Sequence, residues 1–285
     1  MSNPVEFTAD LHVHTIISDG LHTPATVVEL AQRLHLKVLA ITDHDAVEGV
    51  PEALAASRGS DLLLVPGVEL STEAQDSEIH ILGYFIDVAN HNLNQTLTIL
   101  RQARLVRAQN VLAKLDTLGL PLDWSQVQNL SGPGALGRPH IAEAMIQAGY
   151  VDTTQQAFSQ YLGRGQVAYV PRFKLAPHDA ISLIRDAGGL AVLAHPWYAQ
   201  HLVGQLAKVG LGGVEAYYTG YSSDMSGALV RLANQYKLLC TGGSDFHGLE
   251  RIPNNVLGGV PLPEDCLASF LAWHADNMPP KADVP

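Results

Sequence analysis

Short apolar runs recur along this chain, and a histidine or a carboxylate stands in, at the end of or just past each of them. Val38-Leu39-Ala40-Ile41 leads to Asp43-His44-Asp45, Leu62-Leu63-Leu64-Val65 to Glu69, Leu190-Ala191-Val192-Leu193 to His195, and Lys237-Leu238-Leu239-Cys240 to Asp245-Phe246-His247. His12 and His14 close a first run over 7–13, and His80 lies in another over 79–85. Runs of this length, separated by helix-like stretches, predict βαβ units and a parallel sheet. Residues at the carboxyl ends of parallel strands converge on one mouth of a barrel, where such folds keep their chemistry. The expected fold is therefore α/β, a TIM-like barrel of about seven strands, closed or nearly so.

Imidazole and carboxylate together are the ligand set of zinc, manganese and iron. His12 and His14 are two apart on one strand, so both side chains point to one face, the spacing two imidazoles need to hold one ion. A hydrolase using several metal ions is the reading these positions favour.

The strand and helix rhythm breaks once. A helix opens at Thr23-Pro24 and another covers 48–57. After the strand at 79–85, a long polar-rich helix is predicted over 93–118, with Arg101, Arg104 and Arg107 on its exposed face and Gly119 ending it. Shorter helices follow at 139–148 and 154–162, with no clear strand. Residues 96–166 thus read as a helical insert over the active site, between barrel portions 1–95 and 167–285. Alternation resumes after a strand signal at Val167-Ala168-Tyr169-Val170. It continues through helices 177–187, 204–209 and 224–236, strands 190–194, 213–217 and 238–242, and a last helix over 268–275.

Composition limits the partners. With 47% apolar and 16% charged residues the chain can bury a core and is not disordered. No apolar run approaches the roughly 18 residues of a spanning helix. The first residues lack the basic start and apolar middle of a signal peptide. Cys240 and Cys266 make no disulfide framework, and a cytoplasmic location with reduced thiols is expected. A net charge of −11 with no basic stripe disfavours long duplex nucleic acid. Divalent cations at the mouth would reverse the sign locally, so a short, strongly charged substrate is expected.

The motifs resemble the polymerase and histidinol phosphatase (PHP) domain family. The resemblance runs through Asp10-Leu11-His12-Val13-His14-Thr15, Ser18-Asp19-Gly20, Ile41-Thr42-Asp43-His44-Asp45, Pro66-Gly67-Val68-Glu69-Leu70 and Ile79-His80-Ile81-Leu82-Gly83-Tyr84. It ends with Ala194-His195-Pro196 and Gly243-Ser244-Asp245-Phe246-His247. It implies a distorted seven-stranded TIM-like barrel holding two to three divalent ions of manganese, iron or zinc. One ion would lie among His12, His14, Glu69 and Asp245, a second among Asp19, His44 and His247, and a third among Glu69, His80 and His195, with Glu69 bridging. Many relatives carry histidine where this chain has Asp19; the oxygen ligand makes that position harder and favours manganese or iron over zinc. Asp10, Asp43 and Asp45 are expected to orient ligating imidazoles. A cap on the following helix is an equal alternative for Asp45.

The helical insert resembles that of stand-alone phosphoesterases acting on nucleoside 3′,5′-bisphosphates and on the 5′ ends of short RNA. That branch implies hydrolysis of a terminal phosphate ester through a metal-bridged hydroxide. Glu69, Asp245 and His247 would stand at the catalytic centre, with His247 or a metal helping the leaving oxygen depart. Arg138 and His140 open an insert helix, and a helix start carrying an arginine suits the substrate's other phosphate. Arg172 and Lys174 are a second basic pair, and Tyr217 or Tyr218 could stack on a base. The rival readings are a histidinol-phosphate phosphatase, a non-catalytic metal-binding PHP module and an amidohydrolase. The amidohydrolase family commonly bridges its metals with a strand-end lysine, and here Glu69 takes that place. A non-catalytic module tends to lose ligands, and none is missing.

Overall fold

The computed structural model describes residues 9–74, 77–131, 136–171, 173 and 175–277. The readings at Phe7, Thr8, Arg172 and Lys174 lie outside the described residues. Seven strands, β1 (Ala9–Asp10), β2 (Val38–Ile41), β3 (Leu63–Ala74), β4 (Ser77–Tyr84), β5 (Leu190–Leu193), β6 (Gly213–Tyr218) and β7 (Leu239–Gly243), form one sheet in chain order. The sheet curls into a nearly closed barrel. The segment after β1 meets β7 and the residues beyond it where Leu11 N–H donates to Gly242 O (3.3 Å) and His14 N–H to Phe246 O (2.9 Å). All four residues of β2 and of β5 are buried, as strands covered on both faces require.

Helices α1 (Pro24–Arg33) and α2 (Val50–Ala56) cover the first strands. Thr23 caps α1 by accepting from Thr26 N–H, and Pro24 occupies the position where a missing N–H costs nothing. Between β4 and β5 run α3 (His91–Thr117), α4 (Trp124–Ser131), α5 (Arg138–Gln147), α6 (Thr154–Ala157) and α7 (Pro177–Asp186). Then come α8 (Val203–Lys208), α9 (Ser223–Tyr236) and α10 (Glu264–Asn277). Helix α3 belongs to two cores. Leu93, Leu97 and Leu100 pack on the barrel, while Ala108, Val111 and Leu115 join Val127, Ile141 and Met145 in a separate helical cluster. Among the described residues no helix is long and apolar enough to cross a membrane.

Three expectations are corrected. The sheet is not wholly parallel: β4 runs antiparallel to both β3 and β5. Only residues 75 and 76 separate β3 from β4, far too few for a crossover, so the pair must be a hairpin. The reversal matters for the site, because β4 enters from the mouth and His80, near its start, reaches the end where the other strands finish. The apolar run 167–170 is not a strand. Ala168 N–H donates to Tyr161 O (3.0 Å), and Ala168 is buried in the helical cluster instead. Helix α4, absent from the sequence reading, begins after Asp123, whose carboxylate accepts from Gln126 N–H at 3.0 Å.

Candidate metal centre

The strand ends deliver their polar residues to one place. Glu69, on the stretch of β3 that runs past the end of β2, lies at its middle. Its Oε2 is 3.4 Å from His12 Nε2, 3.2 Å from His14 Nε2 and 2.9 Å from His44 Nδ1. Its Oε1 is 2.8 Å from His80 Nδ1 and 3.3 Å from His195 Nε2. Asp245 Oδ1 stands 3.4 Å from His12 Nε2 and 3.1 Å from His14 Nε2, and His247 Nε2 is 3.2 Å from Asp19 Oδ1. All nine side chains named from the sequence as ligands therefore meet.

Three donor groups are compact enough for an ion: His12, His14 and Asp245; His14, Asp19, His44 and His247; and His44, Glu69 and His80. The first overlaps the expected set but lacks Glu69, and the second is the expected set with His14 added. In the third His44 is the close partner, and His195 approaches through Glu69 alone. The donor atoms also pass a physical test for a cation. His12 Nε2, His14 Nε2, Asp19 Oδ1, His44 Nδ1, Glu69 Oε2 and His80 Nδ1 are buried without an aligned hydrogen bond. Buried polar atoms are nearly always hydrogen-bonded, so a converging set of exceptions marks a place for a positive ion.

The electrostatics agree. Burial alone would push Glu69 up, yet His44, His80 and His12 hold its carboxyl well below the usual range. Asp245 is lowered in the same way by His12, His14 and His247. Burial opposes charge on His14, but Asp245 and Glu69 raise it to about 10, and Glu69 with Glu78 raises His80 to about 9. The cage demands positive charge, and its carboxylates are the reason.

Backbone conformation aims two of these side chains. His195 (φ 29°) and Asp245 (φ 54°) adopt left-handed conformations that non-glycine residues avoid. Such outliers gather at functional sites, and here each bends the chain just after a strand so that the side chain turns into the mouth.

Asp10, Asp43 and Asp45 do not touch the imidazole nitrogens, which corrects the role expected of them. Asp43 accepts from Thr15 N–H, Thr15 Oγ1 and Ser18 Oγ, each at 2.7 Å. Asp10 accepts from Ser244 N–H (2.9 Å) and Gly258 N–H (2.8 Å). Asp45 accepts from Ser71 N–H at 2.8 Å and pairs with Arg104; it caps no helix, since α2 starts from Gly49. These carboxylates brace the loops that carry the ligands. The imidazoles are oriented by other groups. His12 Nδ1 meets Glu215 at 2.9 Å, and His247 Nδ1–H donates to Asp245 O at 2.9 Å. Tyr218 OH donates to Asp245 Oδ2 at 2.8 Å. Glu215 was not singled out from the sequence, although a carboxylate inside the apolar run 213–217 was a visible signal.

A cavity of about 150 Å³ lies against the cage. Asp19, His44 and His80 form one wall; Arg104, Arg107, Arg138 and Phe158, from the helical segment, form the other. Arg104 is not the exposed residue expected, since its side chain is only 10% exposed. Arg138 lies 5.3 Å above the Phe158 ring and 3.3 Å from a Glu78 oxygen. His140 is absent from the cavity wall: it is buried, its Nδ1 accepts from Gly137 N–H (3.1 Å), and burial with Arg251 lowers it to about 4. Tyr217 packs with Cys266 and Phe270 on the outside, while Tyr218 faces the cage.

Known proteins resemble the chain closely. The sequence model of the PHP domain matches residues 10–160. The 5'-3' exoribonuclease Rnm of Salmonella typhimurium is 36% identical over 247 residues, spanning 84% of each chain. The 3',5'-nucleoside bisphosphate phosphatase of Chromobacterium violaceum is 32% identical over 84% of this chain and 86% of its own. A structure from Bifidobacterium adolescentis described as a metal-dependent phosphoesterase superposes with a TM-score of 0.83. It is 32% identical and covers 93% of this chain and 96% of its own.

Proposed function

Since the chain belongs to the PHP domain family, we propose that it removes terminal phosphate from small nucleotides, converting nucleoside 3′,5′-bisphosphates to 5′-monophosphates and acting on short 5′-phosphorylated RNA. Metal-dependent hydrolysis of phosphate esters is its reaction class. The observation that carries the substrate reading is the pair of facing walls: metal donors on one side of the cavity and Arg107 and Arg138 on the other. Such a site suits a molecule with two anionic groups, one presented to the cage and one to guanidinium forks.

In this reading His12, His14, Glu69 and Asp245 hold one ion, Asp19, His44 and His247 a second, and Glu69, His80 and His195 a third. Bound divalent cations supply an activated water and neutralise charge growing on the phosphoryl group. His247 gives its Nδ1–H to the Asp245 carbonyl and turns Nε2 towards Asp19 Oδ1 at 3.2 Å, an orientation suited to ligating an ion. Arg138 and Phe158 offer a charge and an aromatic face for the remote phosphate and the base. The helices over 96–166 act as an inserted roof that narrows access to the cage, which favours a chain end over an internal phosphate.

The test is phosphate release from adenosine 3′,5′-bisphosphate by the manganese-loaded protein, beside a 5′-phosphorylated RNA dinucleotide and histidinol phosphate. Turnover of the first two above the third is expected. No turnover of either nucleotide contradicts the substrate reading.

A further inference from the structure

Strand β6 contributes none of the nine proposed ligands, yet two of its side chains touch the cage. Glu215 is fully buried, at 0% exposure, and both its oxygens are engaged. Oε1 lies 2.9 Å from His12 Nδ1, and Oε2 accepts from His195 N–H at 2.7 Å. The two rings stack 5.9 Å apart and address different oxygens of Glu69. His12 Nε2 faces Glu69 Oε2 and Asp245 Oδ1, whereas His195 Nε2 faces Glu69 Oε1.

A local irregularity makes this arrangement possible. Glu215 pairs with Thr241 and Tyr217 with Gly242, so Ala216 is an extra residue in the ladder. Side chains three apart on a regular strand point to opposite faces. The inserted residue restores the same face for Glu215 and Tyr218, as bulges near active sites often do. Tyr218 can then hold Asp245 Oδ2 while Glu215 holds His12. His195, in its left-handed conformation, is fixed by the same carboxylate through its backbone N–H.

We infer that Glu215 is a positioning residue that sets two neighbouring histidines of the metal cage at once. It fixes the His12 ring as the Nδ1–H tautomer with the Nε2 lone pair facing inward, and it pins the bent backbone that aims His195. The inference rests on the metal-centre reading above. Carboxylates behind ligating imidazoles hold tautomer and aim, and their loss typically weakens metal binding by about 10–100-fold. The mechanism here is more specific, because one carboxylate serves two histidines 183 residues apart in the chain (His12 and His195).

Glu215→Gln tests it. The amide keeps the volume but puts an NH2 donor where one of the two oxygens stood, so it cannot accept at both positions, from His12 Nδ1–H and from His195 N–H. Zinc and manganese affinities, read by chelator competition with elemental analysis, should fall about 10–100-fold. In zinc-loaded, ¹⁵N-labelled protein the exchange-protected His12 Nδ1–H signal should be lost in the variant. Leu115→Val, which trims a fully buried side chain in the helical cluster away from the cage, should leave affinity and signal unchanged. Equal metal affinity and an intact His12 signal in Glu215→Gln overturn the inference. A wild-type protein that binds neither metal overturns the metal-centre reading instead. Should the variant not fold, the wild-type spectrum decides: His12 as the Nδ1–H tautomer supports the inference, and as Nε2–H defeats it.

Discussion

Arg104 on α3 and Asp45 on the loop after β2 are joined across the mouth of the barrel, with Arg104 Nε donating to Asp45 Oδ2 at 2.9 Å. The same guanidinium donates to Ser71 Oγ at 2.9 Å, and Asp45 Oδ1 takes Ser71 N–H at 2.8 Å. One side chain therefore ties α3 to β3 and to the loop that carries His44. Replacing it with Ala should lower unfolding free energy by about 2 kcal/mol, the usual worth of a charge-assisted contact. Arg104→Lys should recover less than half, because an ammonium does not reproduce the guanidinium fork. Urea unfolding of the three proteins, with phosphate release in parallel, checks both statements.

Arg138 should discriminate among substrates. Arg138→Ala is expected to raise KM for adenosine 3′,5′-bisphosphate about 10–100-fold, from loss of one charged contact of roughly 1.5–3 kcal/mol. Its KM for p-nitrophenyl phosphate, which has no second phosphate, should change little. Steady-state kinetics on the two substrates give the comparison, and equal losses on both would remove Arg138 from the remote-phosphate role.

Gly243 ends β7 directly behind His12. A Cβ added there would lie 2.4 Å from His12 Cβ and 2.5 Å from its backbone N, closer than atoms can pack. The obstacle is backbone, so His12 must move. Gly243→Ala should cost about 1–3 kcal/mol of stability, as overpacking does, and should also weaken metal binding. Calorimetric titration with manganese separates the two effects, and wild-type affinity in a folded Gly243→Ala protein would show that His12 placement is not critical.

His140 predicts a pH dependence. Burial and Arg251 lower it to about 4 in the folded chain, against 6.5 when exposed. The folded state thus binds fewer protons than the unfolded state between those values. Its contribution is complete above pH 6.5 and is lost as pH falls towards 4, by about 3 kcal/mol in all. His140→Gln keeps an acceptor near Gly137 N–H but does not titrate. Denaturant unfolding of both metal-free proteins from pH 7 to pH 4 should show the wild type losing more stability than the variant. Parallel curves would contradict the assignment.

The ligand positions were legible because metal donors at strand ends follow a local pattern: an apolar run, then histidine or carboxylate. The antiparallel course of β4 was harder to see, since it depends on the shortness of the connection before Ser77 rather than on the composition of the strand. Arg104 and Glu215 escaped for another reason. Their partners lie 59 and 203 residues away, and no periodicity reports a contact made by barrel closure. The bulge at Ala216, which brings Tyr218 to the Glu215 face, likewise exists only in the pairing of β6 with β7. Asp10, Asp43 and Asp45 were correctly placed beside the site, but their acceptors were filled by nearby backbone and hydroxyl groups before any imidazole.

Anomalous diffraction from crystals of the active protein grown with manganese tests the centre of this account most directly. Peaks are predicted at about 2.1 Å from the Nε2 atoms of His12 and His14 and from Glu69 and Asp245, with at least one more among Asp19, His44 and His247. Crystals that release phosphate yet show no anomalous density between those side chains would contradict it.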